Sequence, residues 1–368
     1  MDHSLQLPRV AGIIQKGIWE GLHPGGQIYV WHDGQEACQA FGESRLEIAM
    51  QSNTLLLWLS ATKPTVAIAV AQLVEQGLLD LNRPIAHDLP EFAQHGKELI
   101  TLRHCLAHTG GFRTGDLVSD QLPWLESIAQ ICAVHPEPRW EPGAKAGYHA
   151  SGSWRILGEL IHKTTGFMSN DYVRQHIFEP LGMKNSWIGI PLEEQAHLAI
   201  SPIYQTDRSP PSATSYYNTP EGIAQCNPGS NGRGPAHELG LFYRMLLGGG
   251  TLGSTRIVST ETVRTWTSSQ RKGMYDHTFK QVVDWGYGFK INSPRNPMQP
   301  VRYGFGRYAS EHAFGHSGSQ CSSAFADPAH NLVVIIILNG RPGEIRHHER
   351  SQALHDAVYE DLGLGLHS

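Results

Sequence analysis

Residues 55–81, LLLWLSATKPTVAIAVAQLVEQGLLDL, constrain the fold more than any other stretch of the chain. An apolar run, Leu55 to Leu59, leads straight into Ser60. From Pro64 onward Val66, Ala69, Val70, Leu73, Val74 and Leu78 recur at helical spacing and define a wide apolar face. Such a helix needs a core around it. Pro64 falls in the first turn, where its missing N–H is harmless, and Gly77 closes the helix. Ser60 and Lys63 stand three residues apart at the helix start, which puts hydroxyl and amine one turn apart on the same face. A serine there commonly serves only as an N-cap, and a lysine there as a solvated side chain. With apolar sequence on both sides, the pair instead suits a nucleophile activated without histidine or metal. The adjacent helix N-terminus favours a developing anion.

With 368 residues, 40% of them hydrophobic and 17% charged, the chain can bury a full core in one large domain or two ordinary ones. A net charge of −5, with Lys and Arg scattered rather than striped, gives no sign of a nucleic-acid or anionic-membrane partner. Cys38, Cys105, Cys132, Cys226 and Cys321 include no C-x-x-C pair, which favours reduced thiols and a cytoplasmic setting. MDHSLQLPRVAG does not read as a signal peptide. The apolar run Leu332 to Leu338 is far short of the roughly 20 residues that span a bilayer. His104 and His108 are four apart but have no third ligand nearby in TLRHCLAHTGGF, so no metal site and no cofactor is expected.

The chain opens with a helical period over 8–22, a strand over 28–31, an Asp33-Gly34 hairpin signal and a returning strand over 36–42. Short helices are expected at 101–106, 154–165 (ended by Gly166), 237–247 and 259–266. Residues 202–234 are rich in Pro, Ser, Asn and Gly and read as a long functional loop. Residues 275–308 are irregular and aromatic, with Tyr275, Phe279, Trp285, Tyr287, Phe289, Tyr303, Phe305 and Tyr308 suited to a core or a pocket lining. Strands return at 322–327 and 332–338, and a helix covers 349–362. The expected architecture is α/β (α+β): an antiparallel sheet built from both termini, flanked by helices, with a mainly helical lobe inserted. The sheet lobe is placed at about 8–60 plus 275–365 and the helical lobe at about 61–274, within one catalytic domain.

Four segments then occur in order: SATK, TLRHCLAHTGGF, WEPG followed by Tyr148 in GYHA, and FGHSGSQCSSAFADP. With PGSNGRGPAHELGLFYRMLLGGG and WGYGF, they resemble the serine β-lactamase and penicillin-binding-protein superfamily on its class C side. The resemblance runs over nearly the whole chain and is strongest to the carboxylesterases of β-lactamase fold. It implies a β-lactamase/transpeptidase-like fold and an acyl-enzyme on Ser60. Lys63 would share its proton network, with Tyr148 as general base and then acid. The residues His316, Ser317, Gly318 and Ser319 match the K-T-G-S edge strand, and the backbone N–H groups of Ser60 and Ser319 would form the oxyanion hole. The implied partner is a small-molecule ester or amide.

Elementary chemistry is compatible with that assignment. Free Lys and Tyr both titrate near 10, and together in a low-dielectric pocket they perturb each other, so that either the amine loses its charge or the phenol ionises. Two departures bear on the substrate. The second motif of the β-lactamases is Y-x-N, and here Ala150 replaces the amide. The third motif carries His316 instead of Lys, so the cation for a β-lactam carboxylate is missing. Both favour esters over β-lactams. A β-lactamase, a D-amino acid peptidase or amide hydrolase, an acyltransferase and a non-turnover sensor are the alternatives on the same fold. The stretch Gly315-His316-Ser317-Gly318-Ser319 fails as a G-x-S-x-G nucleophile elbow, because Ser319 stands where glycine is needed. His149 reads as structural.

Overall fold

The computed structural model describes residues 5–292 and 304–365; Tyr303 lies outside them. The chain starts with helix α1 (Pro8–Trp19) and three strands, β1 (Gly25–His32), β2 (Gln35–Arg45) and β3 (Ile48–Ala49). Four later strands complete the same sheet: β4 (Lys290–Ile291), β5 (Phe314–Gly318), β6 (Ser322–Asp327) and β7 (Leu332–Leu338). The order is β4-β5-β6-β7-β1-β2-β3, antiparallel throughout. The ends of the chain meet at its centre, where β1 pairs with β7 from Gly26↔Leu338 to His32↔Leu332.

The unbroken apolar run of β7 follows from this central position, because both faces of the sheet are covered. Val333, Ile335 and Ile337 join Tyr29, Ala324 and Ala326 in the large core shared with the helices of the middle of the chain. Leu332, Val334, Ile336 and Leu338 join Ile28, Val30 and Phe325 under α1 and the C-terminal helix α5 (Glu344–Asp361). A one-residue slip would exchange two apolar sets, so register rests on the hairpins and on the shapes of the two cores.

Helix α2 (Lys63–Glu75) is buried on nearly every side, from Lys63 to Ala71 and again at Leu73. It packs against α3 (Gly152–Thr165), which is ended by Gly166 at φ 79°. Helix α4 (Ala236–Leu247) lies on β1, β6 and β7, so this part of the middle segment covers the sheet. The stretch 202–234 is less irregular than its composition suggests. It holds a short strand Tyr204–Gln205, a helical turn Tyr216–Asn218, a helix Pro220–Ala224 and the strand Gly232–Gly234. That last strand pairs with Leu56–Leu59 on one side and Trp187–Ile188 on the other. Among the described residues no helix is long and apolar enough to cross a membrane.

Candidate active site

The strand Leu56–Leu59 turns abruptly into Ser60–Thr62, a single 3₁₀ turn that runs into α2. The turn is made at Leu59, whose φ of 49° and ψ of −132° are unfavourable for a side chain with a Cβ. Strain of this kind costs on the order of 1–3 kcal/mol and persists only where neighbours hold it. Here Thr62 Oγ1 donates to Leu59 O (2.6 Å) and accepts from Gly232 N (2.8 Å). Gly232 is required for that approach, since a Cβ would stand 2.5 Å from Thr62 Oγ1. Strand, strained corner and helix together present Ser60 half-buried at the start of α2.

Lys63 is fully buried. Its Nζ lies 3.1 Å from Ser60 Oγ, 2.8 Å from Ala150 O and 2.6 Å from Gly229 O. No carboxylate touches it among the described residues. Burial pulls its pKa down to about 7, and the more distant Asp116 and Asp120 offset only part of that. A neutral amine has two hydrogens and one lone pair. The two carbonyls take the hydrogens, which leaves the lone pair facing the Ser60 hydroxyl.

Both carbonyls are held in place. Asp116 caps α3, accepting from Ala150 N (2.8 Å), Ser151 N (2.8 Å) and Gly152 N (2.6 Å), and so fixes the peptide that presents Ala150 O. Asn227 Oδ1 accepts from Gly229 N (3.1 Å) and holds the Gly229 turn. The Lys63 amine is thus held by main-chain oxygens, with Ala150 at the third position of the second motif.

The Tyr148 hydroxyl donates to Ser60 Oγ at 2.8 Å. Burial raises the pKa of this phenol above its ordinary value, more than the bond to Ser60 lowers it. The ring sits among Phe279, Trp285 and His108, with centroids 4.9, 5.6 and 4.7 Å away. Its peptide is clasped from both sides. Asp276 Oδ1 accepts from Tyr148 N (3.2 Å), and Thr278 Oγ1 donates to Tyr148 O (3.0 Å). The other Asp276 oxygen takes Arg271 Nη2 at 2.8 Å in a fully buried ion pair. Arg113 reaches the same clasp through Thr278 Oγ1 (2.8 Å) and is itself paired with Glu137.

The third motif is β5. It is not the outermost strand, because β4 pairs with its first two residues, Phe314 and Gly315. Gly318 lies against the nucleophile's strand, where a Cβ would stand 2.2 Å from Trp58 O. Ser319 follows at the exposed turn. His316 is buried, with Nδ1 2.8 Å from Ser317 O. Burial, then Lys63 and Lys290, push its pKa well below the usual histidine value, so it is neutral. Lys290, unnoticed in the sequence, is also buried, lies 3.3 Å from Ser317 Oγ and above the Phe305 ring, and has its pKa lowered to about 7 by burial. Phe305 belongs to the core under α1 and α5, so this amine serves the far face of the sheet.

His149 is buried beside His108, whose Nδ1 accepts from His149 N (3.1 Å). His104 completes a capping box with Thr101. No group of three or more His, Cys, Asp or Glu among the described residues could hold a metal ion.

Comparison with known proteins agrees with the fold. The structure of a family VIII carboxylesterase superposes with a TM-score of 0.81 at 26% identity, covering 96% of this chain and 97% of that one. A penicillin-binding protein homologue from Caulobacter crescentus gives a TM-score of 0.80 at 25% identity, with coverages of 96% and 97%. Among curated sequences, the esterase/beta-lactamase LipL of Mycobacterium tuberculosis (strain ATCC 25618 / H37Rv) is 22% identical, covering 87% of this chain and 80% of its own. The fold is that of the β-lactamase/transpeptidase-like hydrolases. The model of the Beta-lactamase family matches residues 10–359, and the chain belongs to that family.

Proposed function

We propose that this hydrolase is a serine carboxylesterase for short-chain or aryl esters, acting through an acyl-enzyme on Ser60. The observation that carries the reading is Ser60 Oγ lying 2.8 Å from Tyr148 Oη and 3.1 Å from Lys63 Nζ. In the working form neutral Lys63 takes the Ser60 proton as Oγ attacks the ester carbonyl. The Ser60 and Ser319 amides receive the oxyanion, worth roughly 3–4 kcal/mol each. Tyr148, with its hydroxyl on the same oxygen, gives its proton to the leaving alkoxide. Water then attacks the acyl group, giving a proton to the Tyr148 phenolate, and the acid leaves as Lys63 returns its proton to Ser60 Oγ. This assigns the first proton to Lys63 rather than Tyr148, because burial favours the neutral form of each group: the amine becomes a base and the phenol stays an acid.

Esters are favoured over β-lactams by Ala150 and the neutral His316, and the named carboxylesterase and esterase among the similar proteins support that choice. The unpaired cysteines fit a reducing, cytoplasmic setting. The test is turnover of short-acyl nitrophenyl esters and a chromogenic cephalosporin by wild type and Ser60→Ala. Loss of ester turnover in the variant is expected. Unchanged turnover refutes the nucleophile, and cephalosporin hydrolysis without ester hydrolysis refutes the substrate.

A further inference from the structure

The two amides assigned to the oxyanion come from distant parts of the chain. Ser60 N follows the strand Leu56–Leu59, and Ser319 N follows β5. Their separation depends on what ties those two strands together. One side chain touches both. Ser322, the buried first residue of β6, donates from Oγ to Trp58 O at 2.6 Å and accepts from Gly318 N at 3.0 Å. The single hydrogen of the hydroxyl goes to one strand and a lone pair to the other.

The groups that meet here are tightly packed. A Cβ on Gly318 would stand 2.2 Å from Trp58 O, 2.4 Å from Ser322 Oγ and 3.0 Å from Leu59 Cβ, so only glycine lets β5 come this near. Trp58 falls where the pairing of its strand with Gly232–Gly234 is irregular, just ahead of the strained corner at Leu59. Its carbonyl is therefore held at the point where the chain turns toward Ser60. On the other strand, Gly318 O accepts from Cys321 N at 3.3 Å. A trans peptide directs its N–H away from its C=O, so this bond turns the Ser319 N–H away from Cys321. Arg350, buried on α5, donates to Gln320 O in the same turn at 2.8 Å.

We infer that Ser322 is a positioning residue for the oxyanion hole. Its hydroxyl joins the carbonyl of Trp58, two residues ahead of Ser60, to the amide of Gly318, one residue ahead of Ser319, and so sets the spacing of the two donors. The inference rests on the ester-hydrolase reading and extends its machinery to a residue that touches neither substrate nor nucleophile. The oxyanion needs both donors at once, and a misplacement of about 1 Å costs on the order of a hundredfold.

The test compares nitrophenyl butyrate with its thiono counterpart, in which sulfur replaces the carbonyl oxygen. Sulfur is the larger and weaker acceptor, so the thiono ester draws less from the two amides. Wild type is expected to favour the oxygen ester in kcat/KM, which reports acylation for both. Ser322→Ala should lower kcat/KM for the oxygen ester about tenfold to a hundredfold and for the thiono ester much less, so that the preference shrinks. Ser322→Cys, close in shape but a weaker donor, should fall between, and it carries the same comparison if Ser322→Ala does not fold. A purely structural role for Ser322 slows both esters alike. Equal losses on both, an unchanged oxygen ester, or no preference in wild type overturns the assignment. If wild type turns over neither ester, the hydrolase reading fails on its own account, and labelling by a fluorophosphonate decides. There Ser60 Oγ bonds to phosphorus, its proton passes to Lys63, fluoride leaves, and the phosphoryl oxygen takes the place of the carbonyl oxygen at the amides. Labelling of Ser60 about tenfold slower in Ser322→Ala is then expected. Equal rates, or no labelling of wild type, overturns the positioning role.

Discussion

The assignment of the base to Lys63 makes a pH dependence that can be worked out from its surroundings. An amine at its ordinary value of 10.5 would be neutral in only about one molecule in three thousand at pH 7. With its pKa lowered to about 7, about half the Lys63 amines are neutral at that pH. Burial within α2 thus supplies on the order of a thousandfold in usable base. The sign follows directly: protonation fills the lone pair that faces Ser60, so kcat/KM should fall tenfold per pH unit below about 7 and level off above it. Asp116 raises the Lys63 pKa through space, so Asp116→Asn, which keeps an acceptor for the α3 cap, should move the acid limb to lower pH. Lys63→Arg substitutes a cation that stays charged and should lose about a hundredfold to ten-thousandfold in kcat. The assay is kcat/KM for a short-acyl nitrophenyl ester from pH 5 to 9, with hydrolysis in buffer subtracted. A flat profile below pH 8 would refute Lys63 as the base, as would an active Lys63→Arg. A rate still rising through the alkaline range would assign the role to the Tyr148 phenolate instead.

Two further outcomes are expected. Asp276→Asn leaves Arg271 buried without its counter-charge, which should cost about 3–5 kcal/mol in denaturant unfolding, and it loosens the clasp on Tyr148, so kcat should drop with KM unchanged; a fully stable variant with wild-type kcat contradicts the clasp. His23 and His355 are buried neutral, with pKa values lowered to about 3, mainly by burial and then by Arg350 and Lys290 respectively. The unfolded chain takes up these protons near 6.5 and the folded one does not, so stability is whole above that pH. It should decline by up to about 1.4 kcal/mol per histidine for each pH unit on the way down to about 3. Melting temperatures between pH 7 and 4 measure this, and His23→Gln should flatten the decline.

What was legible in the sequence was local or periodic. Ser60 and Lys63 could be paired because a helical turn fixes their spacing, and they stand 3.1 Å apart. The run Leu332–Leu338 showed its burial because both faces of β7 are covered. Tyr148 was reachable only through the order of short motifs, since nothing in GYHA itself brings a phenol to Ser60 across 88 positions. The groups that orient the Lys63 amine were out of reach for a different reason. Ala150 O and Gly229 O are main-chain atoms, and every residue has one; what singles them out is Asp116 and Asn227 holding their peptides. The stretch 202–234 misled as a loop because its order comes from side chains bonding main chain. Asn218 holds Ile203, and Asn231 gathers the carbonyls of Gly222, Ile223 and Gln225. The third motif shows the same limit from the other side. His316 is neutral at its own position, whereas Arg341, whose Nη2 stands 3.4 Å from Ser319 Oγ, arrives from beyond β7 on a strand of two residues. A substitution in a motif reports the chemistry at that position, and the charges around it depend on every segment that packs there.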